Sequence, residues 1–353
     1  ALFIVPADKM DTNIDVRFEL PQNWQAHTPW QKTDELSFKA STRRELLSNA
    51  FFLGQIHHET LLAGDYQLDL LLGAPYVNDR EKFTQLLKGT LDFANHAFQR
   101  SPHRKNFLII VNEGDSDGGA FEGSFSQLIK GAATEQNRVI WGNTMAHELL
   151  HFWNGLSLIP STLDEEWFKE GFTDYLTAVS LFRTGVFGEA WFFKRLETMY
   201  TRQVIGRMYQ RADISLQQAG HNKQAMRALV YGGGAAVAIA LEVELRNATH
   251  NKHGVEDLMQ SMLTEFSDAT RTYSLSDIQR HIARLSGNDM SDFFRRYASG
   301  NEYLDLTPYL VQLGLQLDHF AEEAYISHAV NASSAQQQRF NAAYKSLKQL
   351  PKL

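Results

Sequence analysis

The sequence WGNTMAHELLHFWNG, residues 141–155, carries two histidines four positions apart, with a glutamate directly after the first. Four residues turn an α-helix by about 400°, so His147 and His151 lie only about 40° out of line on one helical face. Two imidazoles on one face can bind one zinc ion, and Glu148 projects beside them, where it can take a proton from metal-bound water. The stretch therefore predicts a zinc site with an adjacent general base.

The ends of the helix that carries this pattern are also marked. Asn143 or Thr144 can cap its start, and Gly155 can end it in a left-handed conformation, which predicts a helix of about three turns. Chance alone would produce the same histidine pattern on an ordinary amphipathic helix in roughly a few per cent of chains of this length. A zinc site therefore needs a third ligand.

Glu170 supplies that ligand, after a gap of 18 residues from His151. It lies in TLDEEWFKEGFTDY, residues 162–175, where acidic residues at the start and aromatic residues at helical spacing predict a second helix with one buried face. Two histidines and one glutamate leave the fourth zinc position open, as a catalytic site requires. Asp174, one turn after Glu170, either accepts the second ring proton of a ligating histidine or is a solvated helix acid.

Composition excludes several other classes of protein. The 353 residues are 43% hydrophobic and 21% charged, which is typical of a folded globular protein rather than a disordered one. Cysteine is absent, which excludes disulfides, thiolate metal sites and a cysteine nucleophile. The net charge of −7 disfavours binding to nucleic acid or anionic lipid. The wholly apolar stretches are far shorter than the roughly 20 residues that cross a bilayer, so no membrane span is predicted.

The spacing of apolar residues predicts strands in the first part of the chain, then a mixture of helices and strands, and then helices. Alternating apolar and polar residues predict a small β domain up to about residue 75. Helical spacing over residues 79–99, followed by the apolar run 107–111, predicts a helix and a buried strand, and the chain after Leu156 is mostly helical. We therefore predict a multidomain α+β protein with an N-terminal β domain (1–75), a catalytic domain (76–240) and a C-terminal all-α domain (241–353).

The HExxH pattern at 147–151, the 18-residue gap and the Glu-Gly-Phe at 170–172 resemble the gluzincin metallopeptidases, in particular their aminopeptidase branch. Within that branch, residues 151–154 and 170–175 are more similar to the glycyl aminopeptidase family than to the aminopeptidase N family, and residues 290–300 resemble the helical domain of the former. The similarity covers about residues 80–315. It implies a thermolysin-like zincin catalytic domain with one Zn²⁺ per chain, further sequence before residue 1, and a periplasmic or secreted location.

The same resemblance assigns roles to residues outside the zinc motif. The segment Gly118 to Gly123 is similar to the exopeptidase motif, in which a backbone strand, here with Gly119 and Ala120, aligns the substrate. Glu122 in this motif would bind the free α-amino group through charge-assisted hydrogen bonds. Tyr231, 61 residues after Glu170, resembles the tyrosine that donates a proton to the oxyanion. A glycine-rich surface loop around Glu122 and a buried core position for Tyr231 are the alternatives.

Two glycines depart from the family pattern. Gly233 stands where aminopeptidase relatives usually carry a lysine, and Gly123 ends the exopeptidase motif where a larger polar residue is common. Both departures concern substrate preference rather than the zinc chemistry.

Three functions remain open. The leading hypothesis is a zinc aminopeptidase that acts on peptides with a free N-terminus and, by resemblance, prefers Gly or Ala there. The second is a zinc endopeptidase with an open cleft, and the third is a non-catalytic peptide-binding protein of the same fold. We interpret His27, His57 and His58 as ordinary surface or core histidines, and the aromatic cluster at 182–193 as helix packing.

Overall fold

The computed structural model describes residue 3 and residues 12–115, 117–210, 213–320 and 323–347. Residues 1, 2 and 4–11 of the predicted β domain lie outside these ranges, as do residues 348–353 of the predicted C-terminal domain. The protein is a mixed helix-and-sheet structure with a small N-terminal sheet region and a helical C-terminal part.

The strands are β1 (Thr12–Arg17), β2 (Gln25–His27), β3 (Gln31–Asp34), β4 (Ser37–Thr42), β5 (Phe52–Gly54), β6 (His57–Ala63), β7 (Tyr66–Leu72), β8 (Asn106–Glu113), β9 (Asp117–Ala120), β10 (Ser124–Ile129), β11 (Ile159–Pro160), β12 (Thr272–Tyr273), β13 (Leu315–Phe320) and β14 (Glu323–His328). The predicted buried strand at 107–111 is confirmed as part of β8.

The α-helices are α1 (Arg43–Leu47), α2 (Arg80–Phe98), α3 (Glu135–Leu150), α4 (Glu166–Arg183), α5 (Glu189–Ile205), α6 (Leu216–Gly220), α7 (Gly234–Ala248), α8 (Val255–Phe266), α9 (Leu275–Ser286), α10 (Ser291–Tyr297), α11 (Thr307–Gln312) and α12 (Ser334–Tyr344). Short 3₁₀-helices span Ala74–Asp79 and Leu163–Glu165, and π-helices span Gly206–Gln210 and Ala228–Gly233. The predicted helix at 79–99 is confirmed as α2.

The chain folds into two compact units. The first contains residues 1–85 and 104–148, and the second contains residues 86–103 and 149–353. In the first unit, β7 pairs in parallel with β8, so one sheet continues past residue 75, where the sequence analysis places a domain boundary. The three-domain division stays a prediction.

The main sheet of the first unit has the strand order β6-β7-β8-β10-β9. Its middle strands β7, β8 and β10 are parallel, while β6 and β9 run antiparallel to their neighbours. Leu70 and Ile109 face each other in register on β7 and β8, and both are fully buried, as continuous apolar runs in parallel strands predict. This rigid centre holds β9 at one edge of the sheet.

The second unit is built around α4, whose aromatic face is buried as predicted. Trp167, Phe168 and Phe172 are fully buried. Between α4 and α5 the rings of Phe182 and Phe192 stack 4.6 Å apart, which agrees with the prediction that this aromatic cluster packs helices together.

The prediction that residues 241–353 are all-α needs correction, because β12, β13 and β14 lie in this region. Strands β13 and β14 pair as an antiparallel hairpin within this region. Ala324 and Ile326 are buried and alternate with exposed residues along β14, which is the period of two that defines a half-buried strand.

One helical stretch, Ala228–Ala248, is long and apolar enough to cross a membrane by length and composition. However, 83% of its apolar window is buried inside the protein. Such burial is typical of the central helix of a globular core, and the stretch here comprises a π-helix that continues into α7.

Candidate metal centre

The structure brings together the three predicted zinc ligands. His147 lies in the last turn of α3, His151 directly follows that helix, and Glu170 lies in the second turn of α4. One ligand atom from each of these side chains lies within 4.8 Å of those of the other two. His147 and Glu170 are only 6% and 4% exposed, so the group is shielded from bulk water.

Helix α3 begins earlier than the sequence analysis predicts. Its first residue is Glu135, whereas Asn143 or Thr144 was the predicted start. The reason is a cap at Thr134, whose hydroxyl accepts a hydrogen bond from the backbone N–H of Asn137 at 3.3 Å. The helix ends at Leu150 and not at Gly155, which was its predicted end and which adopts a φ of 140° in the segment after the helix.

The donor set fits a zinc ion. Ligand atoms at the usual 2.0–2.2 Å from a tetrahedral zinc are about 3.4 Å apart. His151 Nε2 and Glu170 Oε2 are separated by 3.3 Å, and the three donors together are the two-histidine, one-glutamate set of open, catalytic zinc sites. These three side chains would therefore hold Zn²⁺.

Asn154 fixes the ring of His151, a role that sequence reasoning missed. The backbone carbonyl of Asn154 lies 2.8 Å from His151 Nδ1, so that nitrogen donates its proton there and Nε2 remains available for a metal. The Asn154 side chain is buried and donates to Thr173 Oγ1 at 3.1 Å on α4. The sequence offered one signal for this role, because Asn154 lies in the segment 151–154 that resembles the glycyl aminopeptidase family.

Asp174 makes contacts other than the predicted one. Its Oδ2 accepts a hydrogen bond from Arg202 at 2.8 Å, and its Oδ1 lies 3.6 Å from Arg195. Because His151 is already oriented by a backbone carbonyl, a role for Asp174 could only concern His147, and it stays a prediction.

A partly buried cluster of charges surrounds Glu170. Lys223 donates a hydrogen bond to Glu170 Oε1 at 2.8 Å and forms an ion pair with Glu166 at 2.8 Å. Lys169 also pairs with Glu166 and lies 3.6 Å from Glu170 Oε1. Burial lowers the pKa of Lys223, but the carboxylates of Glu170 and Glu166 outweigh it and hold the pKa above its usual value. Lys223 is 53 residues from Glu170, and no spacing rule in the sequence connects them.

Glu148 lies next to His147 on α3 and is half-buried. A carboxylate there is placed by the same helix that places the first ligand. Its role as general base stays a prediction.

The predicted substrate strand lies at the edge of the main sheet. Among the strands that the structure describes, β9 pairs with β10 alone, so Gly119 and Ala120 belong to an edge strand whose other side can receive an extended peptide. Glu122 follows directly and forms ion pairs with Arg44 and with Arg104, whose Nη2 lies 3.6 Å from Oε2.

Close packing accounts for the glycine that ends this motif. A Cβ on Gly123 would lie 3.0 Å from Arg104 Nη1 and 3.2 Å from Pro29 Cβ. Its backbone N–H donates to Asn49 Oδ1 at 2.7 Å. The position that is often larger and polar in the family is thus filled here by neighbouring side chains.

Tyr231 lies on the π-helix Ala228–Gly233 and is partly exposed. The guanidinium of Arg227 lies 5.0 Å from the centre of its ring. π-Helical turns are frequent at functional sites, because they re-aim one side chain out of the helical repeat. The oxyanion role of Tyr231 stays a prediction.

The histidines of the β region form a separate polar group. His58 Nε2 lies 2.9 Å from Asp69 Oδ1, and the rings of His27 and His58 are 4.8 Å apart beside a cavity of about 440 Å³. The acidic partner of His58 lies across the β6-β7 hairpin, where Thr60 faces Asp69, so it is not apparent from local spacing. Among the described residues, the group able to hold a metal does not include these histidines.

Comparison with known proteins agrees with this geometry. The chain matches the model of the peptidase family M1 domain over residues 125–297. Its fold is similar to the crystal structure of an aminopeptidase N family protein from Idiomarina loihiensis, with a TM-score of 0.77 and 20% sequence identity over 88% of this chain. The match covers 60% of that protein, so this chain spans less than two thirds of its length. A search of curated proteins finds no match.

Proposed function

We propose that this chain is a zinc-dependent aminopeptidase with a thermolysin-like catalytic domain. It would hydrolyse the N-terminal peptide bond of peptides and, by its resemblance to glycyl aminopeptidases, prefer Gly or Ala as the first residue. The proposal rests on one observation, the grouping of His147, His151 and Glu170 within a peptidase M1 domain. The open coordination of this donor set suits hydrolysis better than a purely structural role.

The proposed reaction assigns one group to each step. A zinc ion held by the three ligands would supply Lewis-acid activation of water and of the scissile carbonyl. Glu148 would accept the proton of the attacking water and pass it to the leaving amine. The phenolic hydroxyl of Tyr231 would donate a hydrogen bond to the oxyanion that develops in the transition state.

Recognition of the N-terminus would fall to the first unit. The free side of β9 can pair with the backbone of the peptide, and the carboxylate of Glu122 can bind an ammonium group by charge-assisted hydrogen bonds. A substrate that lacks the free amine would lose these bonds, and this requirement restricts cleavage to the first peptide bond.

One observation favours the endopeptidase as a second candidate. Glu122 is already paired with Arg44 and Arg104, so its negative charge is partly neutralised before a substrate arrives. If these pairs persist, the carboxylate would contribute little to amine binding, and an extended peptide could bind anywhere along its length. The third alternative, a non-catalytic peptide-binding protein, would bind peptides without turnover.

A single assay separates the three functions. Zinc-loaded protein is given one Ala- or Gly-initiated peptide in free and N-acetylated forms, with Glu148→Gln as the control. We expect release of the first residue from the free form only, and its loss in the control. Equal cleavage of both forms would support the endopeptidase, and binding of the peptide without any cleavage would support the binding protein.

The resemblance to glycyl aminopeptidases also leads us to propose a periplasmic or secreted location. Fractionation of cells that express the natural protein, followed by detection with an antibody, tests this. Recovery with the cytoplasmic fraction would contradict it.

A further inference from the structure

We propose that Lys223 is a positioning residue that holds Glu170 so that only one of its carboxylate oxygens faces the metal. This inference rests on the proposed zinc site and adds a determinant of metal affinity and coordination number. Lys223 belongs to the turn between α6 and the π-helix Ala228–Gly233, outside every motif that the sequence analysis identifies.

The two oxygens of Glu170 have different partners. Oε1 accepts a hydrogen bond from Lys223 Nζ at 2.8 Å. Oε2 lies 3.3 Å from His151 Nε2, the separation expected for two ligands of one tetrahedral zinc. Lys223 thus occupies the oxygen that would otherwise be able to join the metal as a second donor.

Two neighbouring carboxylates, those of Glu166 and Glu170, hold Lys223 in this position. Glu166 and Glu170 are each 4% exposed, and Lys223 bridges them with contacts of 2.8 Å to both. Together with Lys169 they form a cluster of two acids and two lysines with no net charge. Removal of one lysine would leave a buried carboxylate without its full compensation, which proteins tolerate poorly.

Lys169 is less well placed than Lys223 to hold Glu170. Its Nζ pairs with Glu166 Oε1 and is 3.6 Å from Glu170 Oε1, beyond hydrogen-bond distance. Without Lys223, Glu170 would be free to turn and bind the metal through both oxygens. The fourth position, which the hydrolytic water needs, would then become crowded.

The test compares Lys223→Met, Lys223→Gln and Lys223→Arg with Lys169→Met in the full chain. Zinc affinity is measured by competition with a chromophoric chelator, and coordination number by the visible absorption of the Co²⁺-substituted protein. Because partners that orient a metal ligand typically contribute 10- to 100-fold to affinity, we expect about that loss in Lys223→Met and Lys223→Gln. The visible absorption bands of Co²⁺ should weaken in both variants, because these bands lose intensity when the coordination number rises from four to five or six.

The controls distinguish positioning from folding. Lys223→Arg should restore most of the affinity, since a guanidinium can donate to the same oxygen, and Lys169→Met should change the Co²⁺ spectrum less than Lys223→Met. If both Lys223→Met and Lys223→Gln keep the zinc affinity and the Co²⁺ spectrum of the wild type, the role of Lys223 is overturned and the proposed zinc site is unaffected. If the wild-type protein binds no zinc, or Glu170→Gln binds it equally well, the proposed metal site fails together with the inference.

Discussion

Gly171 and Gly234 bring helices α4 and α7 into backbone contact. A Cβ on Gly171 would lie 2.4 Å from the Cα of Gly234, and a Cβ on Gly234 would lie 2.1 Å from the carbonyl oxygen of Trp167. Gly171 directly follows the zinc ligand Glu170, and Gly234 directly follows the π-helix that carries Tyr231. The close approach of these two glycines therefore sets where the ligand helix packs.

Gly171→Ala should destabilise the protein although alanine favours helices. Intrinsic propensity would add about 1 kcal/mol of stability, but the new methyl group would overlap the backbone of α7. Overpacking of this kind costs about 1–3 kcal/mol, and more where the obstacle is backbone. We expect a lower free energy of unfolding in urea. Gly188→Ala is the control. Gly188 is the N-cap residue of α5, with a φ of −82° and no atom within 4 Å of its Cβ position, so this variant loses only the preference of an N-cap for glycine over alanine. Equal stability of the two variants would contradict the prediction.

Glu148→Gln and Glu170→Gln should separate catalysis from metal binding. Glu170→Gln removes a charged donor from the group of three and should lose zinc, and activity with it. Glu148→Gln leaves that donor set intact and should keep zinc while turnover falls by about 10²- to 10⁴-fold, the usual contribution of a general base. Zinc content by metal analysis and turnover of a free peptide are measured on the same samples. Zinc loss in Glu148→Gln would show that this residue is not the base alone.

Glu122→Gln should weaken binding of free N-termini without loss of zinc. Hydrogen bonds to a charged group contribute about 1.5–3 kcal/mol, so kcat/KM for the free peptide should fall by about 10- to 100-fold, mainly through KM. Arg104 retains its hydrogen bond to Glu45 at 3.1 Å, which should preserve the local fold. The control is Glu113→Gln, an exposed acid at the end of β8. An unchanged KM in Glu122→Gln would favour the endopeptidase.

The sequence predicts the metal centre better than its surroundings. His147 lies in the last turn of α3 and His151 directly follows that helix, so local structure places both of them, and Glu170 is identified by its distance along the sequence. Lys223 contacts Glu170 only after the chain between them has folded, so no local sequence pattern predicts this contact. The same holds for His58 and Asp69, which meet across a hairpin whose register the sequence does not reveal.

Two predictions from local sequence were wrong, namely the start of α3 and the all-helical character of the region that contains β13 and β14. Asn143 is a good cap, yet α3 continues through it to Glu135 because Thr134 caps an earlier turn. The hairpin of β13 and β14 was missed because its short alternating strands lie within a mostly helical region. In both cases the general character of the region is right and the boundary is wrong, as expected when tertiary packing selects among several permitted ends.

The stability of the first unit should fall as the pH drops below the ordinary pKa of histidine. Burial, and then the neighbouring His58, lower the pKa of His27 below its usual value of 6.5. The unfolded chain therefore takes up a proton near pH 6.5 that the folded protein takes up only at lower pH, so acidification through this window favours unfolding. His27→Gln should reduce the difference in melting temperature between pH 7.5 and pH 5.5, whereas His103→Gln, at an exposed position, serves as the control. An equal pH dependence in the wild type and His27→Gln would contradict this prediction. It would mean that His27 takes up its proton as readily in the folded protein as in the unfolded chain.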